Sequence, residues 1–274
     1  MAAADLMVII SYVILTRFRY YYYGLSFLNI TPVCSVIEVL LRTTRDCSVW
    51  FTVMFTFDRY ITVCCQKLRT KYCTAKTATV VLATTCNLFC FKNIPFYFSI
   101  ELLRIINNVP FDCITKTSYY TETWWVALDW LDTVLTPFLP FTFILLLNAL
   151  TVRHIFESSR VWKRLKGESK GDNPRDPEME SRRKAGILLF TISGSFILLW
   201  LIAVVAFLYY AIRGISTADY PPFLYDFSTV GYMLQNLSCC TNTFIYAVTL
   251  SRFRAKIRHA VKYLVTHIPR IMNK

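Results

Sequence analysis

The chain has 274 residues, of which 55% are hydrophobic and 16% are aromatic, and it carries a formal net charge of +13. Its mean hydropathy is +0.42. A soluble domain does not need this much apolar side chain, so part of it is expected to face lipid. The basic residues lie between apolar runs, which argues against nucleic acid as a partner. The sequence contains no nucleophile-base pair, metal-ligand spacing or phosphate-binding glycine loop, and it therefore predicts no enzyme.

Six stretches of mostly apolar residues predict membrane-spanning helices, because about 20 such residues cross the hydrocarbon core. Charged residues interrupt the second and third stretches, and charges at that depth are expected to face the interior of a bundle. The predicted fold is all-α, a multi-pass transmembrane bundle that forms a single domain over residues 1–274. The six spans are approximately Ala2–Leu15, Val33–Cys64, Thr77–Ile100, Trp124–Val152, Ala185–Ile212 and Phe223–Leu250.

The distribution of Lys and Arg among the loops predicts the orientation. These residues gather after Tyr60, across 153–184 and after Ser251, which places those segments and both termini in the cytoplasm. The loop 153–184 is polar and is predicted to be a solvated connector. The segment 251–274 is predicted to form a short basic amphipathic helix and tail on the inner leaflet. Because the first span starts almost at residue 1, we expect a preceding helix to be missing.

Two cysteines and one asparagine lie on the predicted outer side. Cys34 and Cys113 face an oxidising compartment, so we predict a disulfide that joins the second span to the loop Glu101–Thr123. Asn29 begins an Asn-Ile-Thr sequon in an outer loop and is a predicted glycosylation site.

Charged residues recur at helical spacing in the outer halves of two spans. Glu38, Arg42 and Arg45 can share one helix face, and Asp129 and Asp132 can share another. One hypothesis is a ligand site in which Arg42 or Arg45 binds a carboxylate and Glu38 or an aspartate binds an amine. The alternative is a set of internal salt bridges without ligand contact.

A wider set of motifs occurs along the chain: Ala2–Leu6, Cys34, Ser48, Asp58-Arg59-Tyr60, Cys113, Pro140, Phe196 with Trp200, and Asn242–Tyr246. In order and spacing this set resembles that of rhodopsin-like, class A, G-protein-coupled receptors. Within that class, the stretches around Glu38, Trp50 and Pro95 are similar to a small group of orphan receptors that respond to tryptophan and phenylalanine. The resemblance implies the rhodopsin-like seven-helix fold without its first helix.

The resemblance implies an activation switch in the inner half. Arg59 is expected to be held by Asp58 at rest and released toward a G protein, with Tyr60 completing the motif. Phe196 and Trp200 are expected to repack when a ligand binds above them, although rings at helical spacing are more often plain core packing. Asn242 and Tyr246 are the remaining residues of the implied switch.

Two further sites follow from the same resemblance. Asp5, Ser48 and Asn242 resemble a sodium and water site, for which a hydrated polar cluster is the alternative. The ligand pocket is expected above Trp200, where Tyr232 also contributes. Apart from sodium as a candidate allosteric ion, no cofactor is expected.

Several residues depart from the family pattern. Ile202 and Thr243 stand where prolines are usual, and Thr85 or Cys86 stands near the place of a tryptophan. Two functions are therefore open. The first is a plasma-membrane receptor that couples an extracellular aromatic amino acid or short peptide to heterotrimeric G proteins. The second is a truncated, non-signalling isoform that modulates folding or trafficking of a full-length partner in a receptor dimer.

Overall fold

The computed structural model describes residues 2–17, 27–106, 109–167, 177–213 and 221–249, with three further positions at 255, 258 and 259. Helices dominate this part of the chain. They are α1 (Ala2–Val8), α2 (Thr31–Cys64), α3 (Gln66–Tyr72), α4 (Ala75–Asn93), α5 (Ser118–Thr121), α6 (Thr123–Thr133), α7 (Leu139–Gly167), α8 (Pro177–Arg213) and α9 (Pro222–Thr249).

Local sequence explains where several helices begin and change pitch. Pro32 lies in the first turn of α2, where its missing N–H costs no hydrogen bond. The Thr74 side chain accepts a hydrogen bond from the backbone N–H of Thr77 and caps α4. Pro137 lies in the π-helical turn Val134–Phe138 between α6 and α7, and proline is a known cause of such irregularities. A second π-helical stretch, Ile9–Arg17, continues α1.

A β-hairpin corrects the all-α prediction. Strands β1 (Ile100–Ile106) and β2 (Val109–Thr115) pair antiparallel within the predicted loop Glu101–Thr123. A 3-10 helix, Ile94–Ser99, precedes them in place of the end of the third predicted span. Apolar and β-branched residues favour strand pairing here, but a pattern of long apolar spans gives no sign of two strands this short.

The prediction of six spans exceeds what length and hydropathy support among the described residues. Two helical stretches, Thr123–Glu157 and Phe190–Tyr209, are long and apolar enough to cross a membrane. Helix α2 has 34 residues, which is also enough to cross a membrane, but Glu38, Arg42 and Arg45 lie on it with Asp46. Charges that pair inside a bundle lower the mean hydropathy of a helix without being exposed to lipid.

Two of the three hydrophobic clusters among the described residues lie on opposite sides of α2. One contains Val49, Val53, Ile144, Phe196 and Trp200, which come from α2, α7 and α8. The other contains Cys47, Phe51 and Phe89, which come from α2 and α4. Helix α2 is therefore the central element of the described structure, and it holds residues of both the charged and the aromatic sites.

Close backbone contact joins α8 and α9. A Cβ on Gly231 would lie 3.0 Å from the backbone of Ala203, so a larger residue there would push the helices apart. This contact fixes the wall that α8 and α9 contribute to the outer cavity.

Candidate ligand cavity and activation site

A cavity of about 540 Å³ opens between the outer parts of α2, α6, α8 and α9. Its volume lies within the range typical of small-molecule sites. All the residues predicted for ligand binding line it: Glu38, Arg42, Arg45, Asp129, Asp132, Trp200 and Tyr232. The walls also include aromatic residues that the sequence did not single out, namely Tyr119, Tyr120, Trp130 and Phe207.

Arg42 is held by partners from three parts of the chain. Its Nε donates to Glu38 Oε1 at 2.8 Å, and its Nη2 donates to the Tyr119 hydroxyl at 3.3 Å. Its Nη1 lies 3.5 Å from Asp132 Oδ2. The guanidinium also lies over the Phe96 ring, 3.9 Å from the centroid, which is a cation-π distance. The side chain is thus oriented before any ligand arrives.

Asp132 receives two cations from different helices. Arg45 Nη2 on α2 donates to Asp132 Oδ2 at 2.9 Å. Lys92 Nζ on α4 bonds to Asp132 Oδ1 and also lies 2.7 Å from Asp46 Oδ2. Lys92 therefore bridges two carboxylates and joins α2, α4 and α6 in one ion-pair network.

Asp46 is the most buried charge of this network. Its side chain is 0% exposed, and it accepts hydrogen bonds from Asn93 Nδ2 and Thr136 Oγ1, both at 2.8 Å. A carboxylate without water needs such partners, because desolvation is costly. The sequence signal for Asp46 and Lys92 was only a charge within an apolar run, and neither was predicted as a site residue.

Asp129 has a different environment from the other acids. Its Oδ1 accepts a hydrogen bond from the Tyr119 hydroxyl at 2.6 Å, and Arg42 Nη1 lies 3.8 Å away. Its side chain is 35% exposed, more than that of Glu38 or Asp132. Tyr119, in the outer segment after the hairpin, is buried, and this burial raises the pKa of its phenol above the ordinary value.

Trp200 forms the inner end of the cavity. Its Nε1 donates to Ser238 Oγ on α9 at 3.0 Å. Its ring centroid lies 5.2 Å from that of Phe196, and Phe141 on α7 meets both rings nearly edge-on. Trp200 and Phe196 are both buried. The predicted pair thus connects the cavity to the inner core through direct ring contacts.

The residues of the predicted sodium site are only partly covered by the described structure. Ser48 Oγ donates to Asp5 Oδ1 at 2.6 Å, and both side chains are buried. Helix α9 passes through Asn242, but that side chain lies outside the described residues. One carboxylate and one hydroxyl are oxygen donors of the kind that hard cations prefer, so the described pair fits such an ion.

The Asp58-Arg59 pair lies at the inner end of α2. Arg59 Nη2 and Nε lie 2.6 Å and 3.1 Å from Asp58 Oδ2. Both side chains are 35% exposed. The Arg59 guanidinium lies 5.1 Å from the centroid of Phe55, one turn earlier. Tyr60 is half-buried, and the side chain of Tyr246 lies outside the described residues.

The outer side contains a disulfide between Cys34 on α2 and Cys113 on β2. The bond connects residues 79 positions apart and ties the hairpin to the outer end of α2. Asn29 is only 8% exposed, and this burial does not favour a glycan at its sequon. The predicted amphipathic segment 251–274 lies outside the described residues apart from three helical positions, as does the middle of the predicted loop 153–184.

A helical bundle with a charged outer cavity, an aromatic core and an Asp-Arg pair at its inner end has the arrangement of a membrane receptor. The sequence model of the 7 transmembrane receptor (rhodopsin family) matches residues 1–246. The chain belongs to this family, and it is accordingly a multi-pass membrane protein rather than an enzyme.

Two relatives of the chain are opsins. Compound eye opsins BCRH1 and BCRH2 of Hemigrapsus sanguineus are each 24% identical to the chain, over 239 and 245 residues respectively. The aligned region covers 85% of the chain and 61% of each opsin. The chain thus spans about three fifths of the length of the curated relatives it matches.

Proposed function

We propose that this protein is a plasma-membrane receptor that transmits binding of an extracellular small ligand to a heterotrimeric G protein. The observation that carries the proposal is the cavity above Trp200, because charged side chains and Trp200 line the same space, and Trp200 belongs to the aromatic cluster below it. Membership in the rhodopsin family supports the G-protein partner.

The mechanism is a shift between two arrangements of the bundle. A ligand that binds beside Trp200 changes the packing of that ring against Phe196 and Phe141. Those residues belong to the cluster that joins α2, α7 and α8, so their movement changes the inner ends of the same helices. A ligand that prefers one arrangement raises its population in proportion to that preference.

Arg59 is the proposed group that reaches the G protein. Among the described residues its ionic partner is the neighbouring Asp58 on the same helix, so this pair does not tie α2 to another helix. A pair this exposed is worth little in stability, about 0.2–1 kcal/mol. Rearrangement of the inner helix ends can therefore release Arg59 at small cost.

The ligand class that the sequence resemblance favours is an aromatic amino acid or a short peptide. Two observations support a small ligand with a ring and charged groups: aromatic side chains line the cavity, and so do both carboxylates and guanidiniums. The opsin relatives do not bear on this ligand class, because only the distant family relationship is shared.

A sodium ion at Asp5 and Ser48 is a further part of the proposal. The buried carboxylate accepts from the Ser48 hydroxyl, and α9 passes close by, where Cys239 Sγ lies 3.7 Å from Ser48 Oγ. An ion bound here would favour the resting arrangement by bridging α1, α2 and α9. Thermal unfolding of the purified protein in sodium chloride and in choline chloride tests this, with Asp5→Asn expected to abolish the difference.

The test of the receptor function is a signalling assay with a surface tag. Cells that display the protein are exposed to tryptophan, phenylalanine and their dipeptides, and calcium and cyclic-nucleotide responses are recorded. We expect a response that Arg59→Ala abolishes at equal surface display. Arg153→Ala is the matched control, because the ion pair that Arg153 forms among the described residues is an exposed one with Glu157 on the same helix.

The opposite result would favour the second function. If the protein is displayed but no ligand evokes a response that depends on Arg59, the receptor proposal is wrong. Co-expression with a full-length family member, followed by measurement of that partner's surface level, would then test the role of a non-signalling partner.

A further inference from the structure

The charges that line the cavity do not cancel. Its described lining contains three carboxylates, Glu38, Asp129 and Asp132, and two guanidiniums, Arg42 and Arg45. Behind this lining, Asp46 and Lys92 form an ion pair that adds no net charge. The described cavity therefore carries one excess negative charge, which an apolar membrane environment leaves poorly screened.

The partners of each carboxylate show where that excess lies. Asp132 has Arg45 at 2.9 Å and Lys92 as a second cation. Glu38 has Arg42 at 2.8 Å, one helical turn along the same helix. For Asp129 the closest cationic atom is Arg42 Nη1 at 3.8 Å, and its short hydrogen bond comes from a neutral phenol. Asp129 is thus the acid with the weakest charge compensation and the largest exposure to the cavity.

Arg42, by contrast, has most of its hydrogen-bonding capacity engaged, whereas Arg45 lies between two carboxylates and its buried Nε has no hydrogen-bond partner among the described residues. Arg42 contacts Glu38, Asp132 and Tyr119 through all three of its nitrogens and stacks over Phe96. Arg45 donates to Asp132 from Nη2, and its Nε lies 3.8 Å from Asp46. A ligand carboxylate would have to displace internal partners before it could bind Arg42, and at Arg45 it would lie close to the carboxylates of Asp46 and Asp132, which repel it.

Aromatic surface lies beside Asp129. The next residue, Trp130, lines the cavity and meets Phe207 on α8 edge-on, with ring centroids 5.9 Å apart. A ring attached to an ammonium group by a short linker could therefore pack on this wall while the ammonium approaches the carboxylate. Such a ligand would neutralise the excess charge without breaking the internal ion pairs.

We propose that the cavity takes an aromatic amine of net positive charge, whose ammonium group binds Asp129 and whose carboxylate is absent or blocked. This deepens the proposed function, since it rests on the cavity being the ligand site. It selects Asp129 among the acids that the sequence left open, and it removes Arg42 and Arg45 as anchors of a ligand carboxylate.

The test measures binding of four probes to the full chain in lipid nanodiscs, without a G protein. Tryptamine and tryptophan amide carry a net positive charge, tryptophan is a zwitterion, and indole-3-propionate has a carboxylate and no amine. We expect the two cations to bind at least tenfold more tightly than tryptophan, and indole-3-propionate to bind most weakly. Equal or tighter binding of tryptophan or indole-3-propionate, or binding of no probe, would overturn the proposal.

Variants then locate the anchor. Asp129→Asn keeps an oxygen for the Tyr119 hydroxyl and removes the charge, so it should weaken tryptamine at least tenfold while leaving indole-3-propionate unchanged or improved. Asp129→Glu should retain the preference for cations. Glu101→Gln, an acid on β1 outside the cavity lining, is the charge-matched control and should not change binding. If Asp129→Asn binds tryptamine as the unmodified protein does, Asp129 is not the anchor.

Failure of this inference is distinguishable from failure of the receptor function. Binding is measured without G protein, and signalling is measured in cells. A charge preference that depends on Asp129 supports the inference even where no signal follows. A signal evoked by tryptophan with no preference for amines overturns the inference and supports the receptor function.

Discussion

The outer and inner halves of the bundle use charge in opposite ways. In the outer half, Lys92 bridges Asp46 and Asp132, so that ion pairs connect three helices. In the inner half, Arg59 pairs with Asp58, its neighbour on the same helix. The outer network is buried and couples helices, whereas the inner pair is one-third exposed and couples none. The comparison indicates that the outer half fixes helix positions and that the inner half is free to change.

The largest expected effect on stability tests the ion-pair network of Asp46, Lys92 and Asp132, the outer network. Asp46→Ala removes the carboxylate that Lys92, Asn93 and Thr136 share, and it leaves a buried cation with less compensation. We expect a loss of about 3–5 kcal/mol in the free energy of unfolding. Thermal unfolding in detergent measures it.

An exposed ion pair supplies the control for this change. Glu157→Ala removes the partner of Arg153 on the surface of α7, and it should leave the unfolding midpoint nearly unchanged. Equal effects of the two substitutions would mean that the outer network does not stabilise the bundle.

The second-largest expected effect on stability concerns the Cys34–Cys113 disulfide. Cys34→Ser breaks the disulfide that ties the hairpin to α2, and we expect a loss of about 2–4 kcal/mol because the unfolded chain gains freedom. A reducing agent should lower the unfolding midpoint of the unmodified protein and leave that of the Cys34→Ser variant unchanged. Cys90→Ser, at an exposed free cysteine, should behave as the unmodified protein.

A smaller effect is expected at the boundary between the halves. Trp200→Phe retains a ring against Phe196 but loses the hydrogen bond to Ser238, at a cost of about 1–2 kcal/mol. Ser238→Ala removes the same bond from the other side. A double-mutant cycle should give a coupling energy near the cost of one bond, and additive losses would show that the contact contributes nothing.

The smallest effect on stability tests the inner half. Asp58→Asn should change the free energy of unfolding by less than about 1 kcal/mol, because the pair is exposed and local. The same variant should raise ligand-independent signalling, since Arg59 loses the group that holds it. A large loss of stability, or an unchanged basal signal, would contradict the contrast between the two halves.

Much of the candidate site could be predicted from helical spacing. Arg42 lies four residues after Glu38, and Asp132 lies three after Asp129, so each pair had to share a helix face. The residues predicted for the ligand site do line one cavity. Asp46 and Lys92 could not be assigned in the same way, because their roles depend on which helices become neighbours.

The sequence predicted too little regular structure in the outer segment between α4 and α6. It predicted a loop there, whereas the structure has a hairpin and, beyond it, Tyr119, whose hydroxyl contacts both Arg42 and Asp129. A hairpin this short is stabilised by its disulfide and its contacts with the bundle rather than by a pattern of its own. No periodicity over seven residues could have predicted that Tyr119 lines the cavity.

The sequence by itself determined the class of protein: apolar spans, basic loops and a set of ordered motifs predicted a helical membrane receptor, because those features depend on local composition and order. Tertiary structure alone decided how the charges are shared. Which carboxylate pairs with Arg45 or Lys92, and which remains open to a ligand, depends on distances of 3–4 Å between residues that lie up to 90 positions apart in the chain. Electrostatic energy varies with those distances and with burial, and neither quantity is encoded in local sequence.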